Sequence, residues 1–375
     1  MASNFGMPVA VDAAVIEQEL TSLWKTEGEG ERAAIRACSC NLVVIAHDRE
    51  ESELLPELLA RVAEWHPCRS LIAYREDEIH DPLLPGSSGM RAWIHAQCSV
   101  SMTGGPQTCC EAVTVGARGR SVADLPNILV SLLVPDLPVF LYWRSFRPED
   151  RELAEKMARF ADLLIVDSHA SKDDPQNRER LLSLLTSAPE GLSVRDLNWS
   201  RLTAWRDLIA QFFDPPSLRR YAREISEVEI LRTVASPANI PTRTLLLTGW
   251  LASRLNWRRT SARRQDGQWI SRWNGPSGEA VVRFTGTPAE LDQTPGISSI
   301  ILRARSGPSF TVVRKKGSSC ITASTEGRGP ELVHSVIEDA QDEAWLLIRE
   351  LSLAGHDQGF RQALAEALAL ERSFK

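Results

Sequence analysis

In the first two thirds of the chain, segments with apolar residues at helical spacing alternate with short apolar runs. This alternation predicts helices separated by buried strands. Helical spacing of apolar residues is found in segments 9–27, 52–65, 125–133, 149–161 and 175–187. Continuous or nearly continuous apolar runs, typical of strands covered on both faces, are found at 38–46, 71–74, 139–143 and 163–167. Residues 91–100 and 108–117 predict an antiparallel hairpin with turn residues at 103–106. This order predicts a three-layer α/β domain around a mixed sheet.

The stretch 121–146 joins one of these helices to one of these strands and carries the first candidate site. Pro135 ends the helix, because the residue before a proline is pushed out of the α conformation. Arg144 follows the strand at its carboxyl end, where open α/β sheets place ligand-binding residues. Beside Trp143, the guanidinium would offer planar, permanently charged donors next to an aromatic ring. The alternative, with Trp143 in the core and Arg144 solvated, stays open.

The remaining third of the chain has a different pattern, with one apolar helix and several segments typical of strands. A helix is predicted at 243–255, and it is apolar on nearly all sides and therefore buried. Segments rich in β-forming residues and separated by glycine and proline lie at 226–233, 267–274, 278–285, 297–305, 308–315 and 318–325. Two helices are predicted at 331–353 and 356–371. The pattern indicates an N-terminal helix and linker at 1–30, an α/β domain at 31–238, and an α+β C-terminal domain at 239–375 that contains an antiparallel sheet.

The segment before this change, 198–213, predicts one amphipathic helix. Trp205 shares the face of the apolar positions, so we expect it in the core. Arg201 and Arg206 fall elsewhere on the helix, which favours solvent or a partner protein.

Composition limits the classes of function. The chain has 375 residues and a net charge of −6, which argues against nucleic-acid binding, since that depends on basic groups. No apolar run approaches the length of a membrane span, and the N-terminus lacks the features of a signal peptide. Seven cysteines form no disulfide-scaffold pattern, so a reduced, cytoplasmic protein fits best.

Familiar catalytic patterns are missing from the sequence. It contains no glycine-rich phosphate loop and no G-x-S-x-G elbow. The cysteines of the predicted hairpin point to opposite faces, so we expect structural cysteines and no metal. Asp167 ends a strand just before His169, and we expect it to order that turn. The sequence therefore predicts no catalytic residue, no cofactor and no metal.

Six motifs occur in a fixed order. They are HPCRSLI at 66–72, CCE at 109–111, LLVPDLPVFLYWR at 132–144, LIVDS at 164–168, DLNWSRLTAWRDLIAQFFD at 196–214 and LLTGWLASRLNW at 246–257. The set resembles the glucose-6-phosphate dehydrogenase assembly protein family, OpcA. Three positions depart from the family pattern: Tyr142 and Ser145 replace tryptophan and glycine, and Asn256 replaces glycine.

The resemblance implies a non-enzymatic role. Such proteins bind glucose-6-phosphate dehydrogenase, support its active oligomer and raise its activity in the oxidative pentose phosphate pathway. Because Trp and Arg are enriched at interface hot spots, we expect the partner-binding residues to be Trp143, Arg144, Arg201 and Arg206. Two alternatives stay open: an enzyme on a sugar phosphate or nucleotide sugar, with Arg144 holding phosphate and Asp167 or His169 as acid–base, and a metabolite sensor using the α/β cleft.

Overall fold

The computed structural model forms two compact units. The first unit comprises Met1–Ala170, Pro189–Leu197 and Asp342–His356, and the second comprises Ser171–Ala188, Asn198–Gln341 and Asp357–Lys375. The residues that the structure describes are 13–28, 34–36, 38–76, 89–99, 107–144, 146–169, 175–234, 240–265, 268–288, 296–315, 317–327, 333–337 and 342–374. The domain boundaries expected at 30 and 238 stay a prediction.

The regular elements follow one another as strands and helices with short connections. The helices are α1 (Ala13–Gly28), α2 (Arg49–Ala63), α3 (Leu125–Ser131), α4 (Arg151–Ala158), α5 (Pro175–Thr186), α6 (Leu197–Ser200), α7 (Thr203–Gln211), α8 (Pro216–Arg219), α9 (Tyr221–Glu224), α10 (Thr242–Arg254), α11 (Glu343–Ser352) and α12 (Gln358–Ser373). The strands are β1 (Ala34–Arg36), β2 (Cys40–Ile45), β3 (Cys68–Arg75), β4 (Met90–Ser99), β5 (Gln107–Ala117), β6 (Val139–Trp143), β7 (Leu163–Val166), β8 (Ser193–Asp196), β9 (Ile225–Val234), β10 (Arg258–Gln265), β11 (Gln268–Gly275), β12 (Gly278–Pro288), β13 (Gly296–Ala304), β14 (Ser309–Arg314), β15 (Cys320–Glu326) and β16 (Val333–Ile337).

The sheet of the first unit is mixed, as predicted. Its strand order is β1-β5-β3-β2-β6-β7-β8, and β4 pairs with β5 in the antiparallel hairpin expected from the sequence. The other pairs are parallel. From β2 the chain proceeds to β3 on one side, and later from β6 to β7 and β8 on the other. The strand order therefore reverses between β2 and β6, which makes their carboxyl ends a topological switch point.

Helices cover both faces of this sheet. One face buries Leu42 and Val44 of β2 against the apolar sides of α2 and α11. Arg69 of β3 lies on the opposite face, where it pairs with Glu17 of α1 and donates to the carbonyl of Leu132 just after α3. The first unit thus has the three layers that the sequence predicted.

The sheet of the second unit has the order β10-β11-β12-β9-β13-β14-β15-β16. The β9–β12 pair is parallel and the other pairs are antiparallel, so this sheet is also mixed. Helices α10 and α12 pack closely, since a Cβ at Gly249 would overlap the carbonyl oxygen of Ala363. The buried ion pair between Arg178 of α5 and Glu371 of α12, at 2.8 Å, joins a third helix to them. The molecule has a mixed α/β fold with two mixed sheets.

Several sequence-based boundaries were wrong. The helix expected at 331–353 begins only at Glu343, and the β-branched segment 333–337 instead pairs with β15 as a strand. The single helix expected at 198–213 is interrupted between α6 and α7. Strand β10 was missed because its sequence, RRTSARRQ, is arginine-rich and largely exposed. The predicted hairpin turn at 103–106 lies outside the described residues.

Among the described residues, we find no helix with the length and apolar character needed to cross a membrane.

Candidate functional site

The switch point between β2 and β6 is where an open α/β sheet ordinarily binds its ligand. Arg144 lies there, directly after β6, and its backbone N–H donates to the carbonyl of Ile45 at 3.3 Å. The prediction that Arg144 follows a strand at this end of the sheet is therefore confirmed.

The guanidinium of Arg144 is held by two carboxylates of the same unit. Its Nε lies 2.5 Å from Oε1 of Glu343 and its Nη2 lies 2.8 Å from Oε2, which is a bidentate pair with the first residue of α11. Its Nη1 also donates to Glu51 of α2. The hydroxyl of Tyr142 donates to Oε1 of Glu343 at 2.7 Å. These contacts tie α2 and α11 to the end of β6.

Electrostatics favour a charged Arg144 and a neutral Tyr142. The hydrogen bond to Glu343 raises the pKa of Arg144, so the guanidinium stays charged at physiological pH. Burial, and then the charge of Glu343, raise the pKa of the Tyr142 hydroxyl well above its ordinary value. Tyr142 therefore remains a neutral donor, and the cluster is a structural ion-pair network.

The N-terminus of α2 faces the same crevice and is also occupied by carboxylates. Asp48 caps the helix, and its Oδ1 accepts from the backbone N–H of Glu51 at 2.8 Å. The carboxylate of Glu51 accepts in turn from the backbone N–H of His47. In nucleotide-binding folds, the backbone donors at this position hold a phosphate. Here the acidic side chains use those donors and would repel an anion.

Trp143, the second residue of the predicted site, is buried. Only 1% of its surface is exposed, and its ring lies 5.0 Å from that of Phe146 between centroids. Trp143 thus lies in the core, as the alternative reading had it, whereas Arg144 is held in ion pairs and is not a solvated edge residue. The role of Trp143 in partner binding stays a prediction. A side chain this buried would contribute only by positioning Arg144.

Arg201 and Arg206 belong to the second unit. Arg206 stacks on Trp199, with its guanidinium carbon 3.6 Å from the ring centroid, and also donates to Thr203. Arg201 is buried, contrary to the expectation of an exposed side chain, because the break between α6 and α7 interrupts the helical period on which that expectation rested. Trp205 lies fully in the core, as predicted. The partner-binding role of both arginines stays a prediction.

The residues weighed for other chemistry have local structural contacts. Asp167 accepts from the backbone N–H of His169 at 3.0 Å, which is the predicted ordering of that turn. Cys40, Cys68 and Cys110 are buried free thiols, as expected of structural cysteines. Burial raises the pKa of the Cys110 thiol to about 11, so it is neutral at physiological pH. Within the described part of the chain, no three His, Cys, Asp or Glu residues converge as metal ligands.

Sequence reasoning missed an exposed aromatic pair in the first unit. Trp65, just after α2, is 62% exposed, and Trp345 of α11 is 42% exposed. Their ring centroids are 5.7 Å apart in an edge-to-face arrangement. Leu54 of α2 is 68% exposed. Both tryptophans stood in the sequence as two among eleven, and only the meeting of α2 with α11 distinguishes them from core residues.

Solved structures share only a distant likeness with the chain. Two crystal structures of KijD10, a 3-ketoreductase from Actinomadura kijaniata, match with TM-scores of 0.49 and 0.45 and 11% identity. The first match covers 89% of this chain and 96% of the reductase. At this level the likeness supports no conclusion about activity.

Curated relatives are closer in sequence. OxPP cycle protein OpcA from Nostoc punctiforme is 29% identical over 57% of this chain and 43% of its own length. The protein of the same name from Synechocystis is 30% identical over 55% of this chain and 41% of its own length. The chain thus matches less than half of the length of these relatives.

Two family models match in succession along the chain. Residues 60–183 match the model described as the glucose-6-phosphate dehydrogenase subunit N-terminal domain. Residues 192–364 match the model of the C-terminal domain of the same subunit. Together the two models cover most of the chain, and they include the ordered motifs that suggested this family from the sequence. The chain belongs to the OpcA family of glucose-6-phosphate dehydrogenase assembly proteins.

Proposed function

We propose that this chain is a non-catalytic assembly partner of glucose-6-phosphate dehydrogenase, which it binds in the cytoplasm to support the active oligomer. In this role it raises the flux through the oxidative pentose phosphate pathway. The observation that carries the proposal is the pair of consecutive matches to the two domains of a glucose-6-phosphate dehydrogenase subunit.

Through thermodynamic linkage, a binding protein can activate an enzyme without catalysing any step itself. A protein that binds the active form of an enzyme more tightly than the inactive form shifts the population toward the active form. The size of the shift equals the difference in binding free energy between the two forms. The chain therefore needs a binding surface for the active oligomer, and no catalytic group of its own.

The switch-point cluster supports this role over the enzyme alternative. That alternative used Arg144 to hold a phosphate, whereas its donors are directed to Glu51 and Glu343. A phosphate would have to displace a bidentate carboxylate and approach the acidic end of α2, which is unfavourable. The same argument weighs against a sensor of anionic metabolites at this crevice.

For the contact surface, we propose the Trp65–Trp345 pair of the first unit, and the partner-binding roles expected of Trp143, Arg144, Arg201 and Arg206 from the sequence stay predictions. Exposed tryptophan is the residue type most typical of interface hot spots, and an edge-to-face pair offers a rigid apolar ridge. Glu57 of α2 and Glu64 just after it are exposed, and so is Arg61 between them, so this end of α2 carries both charge signs. The ridge therefore fits an apolar depression of the dehydrogenase.

The test is the affinity of the dehydrogenase for single alanine variants of the full chain. Trp65→Ala and Trp345→Ala should each weaken binding about tenfold or more, because hot-spot truncation costs about 2 kcal/mol. Phe160→Ala is the matched control, since Phe160 is an aromatic residue of the same unit that is 52% exposed. It should leave the affinity unchanged.

If the wild-type chain does not bind the dehydrogenase in this titration, the proposed function is wrong. If it binds and both tryptophan variants bind equally well, the function stands and the proposed surface is wrong.

A further inference from the structure

The sheet of the second unit has two unlike faces. On its inner face, Ile230, Ile300 and Phe310 are completely buried. The ring contacts that the described residues show between this sheet and helices or the C-terminal end of α12 fall on the inner face, as with Phe310 against Phe212 and Phe284 against Phe374. The alternate positions form the outer face, and they are only partly buried.

The outer face extends across the whole sheet. One row of residues in register crosses all eight strands: Arg263, Ile270, Arg283, Glu229, Ile301, Thr311, Ser324 and Val333. Side chains of this face retain considerable exposure, with Val313 at 40%, Arg303 at 43% and Glu227 at 45%. These side chains therefore remain accessible to solvent in the single chain.

The chemistry of the face changes from one side to the other. On β9 and β12 it carries charges of both signs, and Arg283 lies 3.6 Å from Glu227. On the strands β13 to β16 it is mostly uncharged apart from Arg303, with these β-branched and hydroxyl residues: Ser299, Ile301, Thr311, Val313, Thr322, Ser324, Val333, Ser335 and Ile337. Such a largely uncharged sheet surface can pack against another sheet.

The area is sufficient for a stable interface. Eight strands about 4.8 Å apart and three rows of outward residues give a face of about 35 Å by about 20 Å. That is about 700 Å² for each copy, close to the roughly 800 Å² per partner of a standard interface. Because both charge signs are present, two copies of the face can pair arginine with glutamate, whereas a face of one sign would repel its copy.

We propose that the outer face of this sheet is a self-association surface, on which a second copy of this chain packs sheet against sheet. The proposal is independent of the dehydrogenase, because it rests on the sheet alone.

Sedimentation equilibrium of the full chain tests this surface. Wild-type chain at about 20 µM should have twice the mass of one chain, since interfaces of this size bind in the micromolar range or tighter. Val313→Asp should raise the dissociation constant of the dimer about tenfold or more, because it buries an unpaired carboxylate. Val336→Asp is the control: Val336 pairs with the inner-face residue Ile321 and is 37% exposed, close to Val313.

The outcomes separate clearly. A dimer weakened by Val313→Asp and retained by Val336→Asp supports the proposal. A monomeric wild type, or a dimer that both variants leave intact or weaken equally, overturns it. Loss of dehydrogenase binding in Val313→Asp without any effect on self-association also overturns it, because the face would then serve another protein. If Val313→Asp fails to fold, Thr311→Lys on the same face replaces it.

Discussion

Arg144 shows how one residue type serves two roles that the sequence cannot separate. A guanidinium at the end of a central strand is suited to bind a ligand, and equally suited to hold a neighbouring helix. The outcome depends on Glu343, which lies about two hundred positions later in the chain, so no local pattern reveals it. With the carboxylates of Glu51 and Glu343 in place, Arg144 is 26% exposed and fixes the position of α11.

Replacing Arg144 by methionine should therefore lower stability. Two partly buried carboxylates would face each other without their cation, and we expect the free energy of unfolding to fall by about 1–3 kcal/mol. Arg151→Met is the matched control, because the Arg151–Glu155 pair is exposed and such pairs contribute less than about 1 kcal/mol. Urea denaturation followed by tryptophan fluorescence measures both. Equal effects of the two substitutions would mean that Arg144 has no special structural role.

Helix α11, which Arg144 holds, is capped at its N-terminus by Asp342. The Oδ1 atom of Asp342 accepts from the backbone N–H of Trp345 at 3.1 Å, and Oδ2 pairs with Arg61 of α2 at 2.9 Å. The hydrogen bond with Arg61 lowers the pKa of Asp342 below its ordinary 3.8. The stabilisation is therefore present at neutral pH and is lost as the pH falls through the lowered pKa.

Two substitutions at Asp342 distinguish the stability contributed by the helix cap from that contributed by the ion pair with Arg61. Asp342→Asn keeps an acceptor for the helix N-terminus, so we expect a loss of only a few tenths of a kcal/mol. Asp342→Ala removes the cap as well and should cost about 1 kcal/mol. Thermal unfolding monitored by circular dichroism compares them. A larger loss in the asparagine variant than in the alanine variant would contradict this account.

Elements whose apolar pattern fits one type of secondary structure were predictable. Elements whose pattern fits both helix and strand were not. Strand β6 is a continuous apolar run and β2 nearly so, a pattern typical of strands covered on both faces. Segment 333–337 has apolar residues at spacings that suit a helix, and only pairing with β15 makes it a strand. The φ of Asn256 is +53°, which is the left-handed region that glycine and asparagine adopt most readily.

The whole molecule was predictable as a class, and less so in its parts. Alternating helices and strands identified the mixed α/β fold, and ordered motifs identified the family. The return of residues 342–356 to the first unit was not predictable, because it depends on long-range contacts. The exposure of Trp65 and Trp345 was not predictable either, because it depends on how helices from distant segments meet.

The proposed function requires that this chain activate glucose-6-phosphate dehydrogenase and perform no turnover itself. The most direct measurement is the initial rate of NADP reduction with glucose 6-phosphate, for each protein alone and for the dehydrogenase titrated with the chain. We expect no reduction by the chain alone, and a saturable rise of the dehydrogenase rate of about fivefold or more. Turnover by the isolated chain, or a dehydrogenase rate that does not change at any concentration of the chain, would contradict the account.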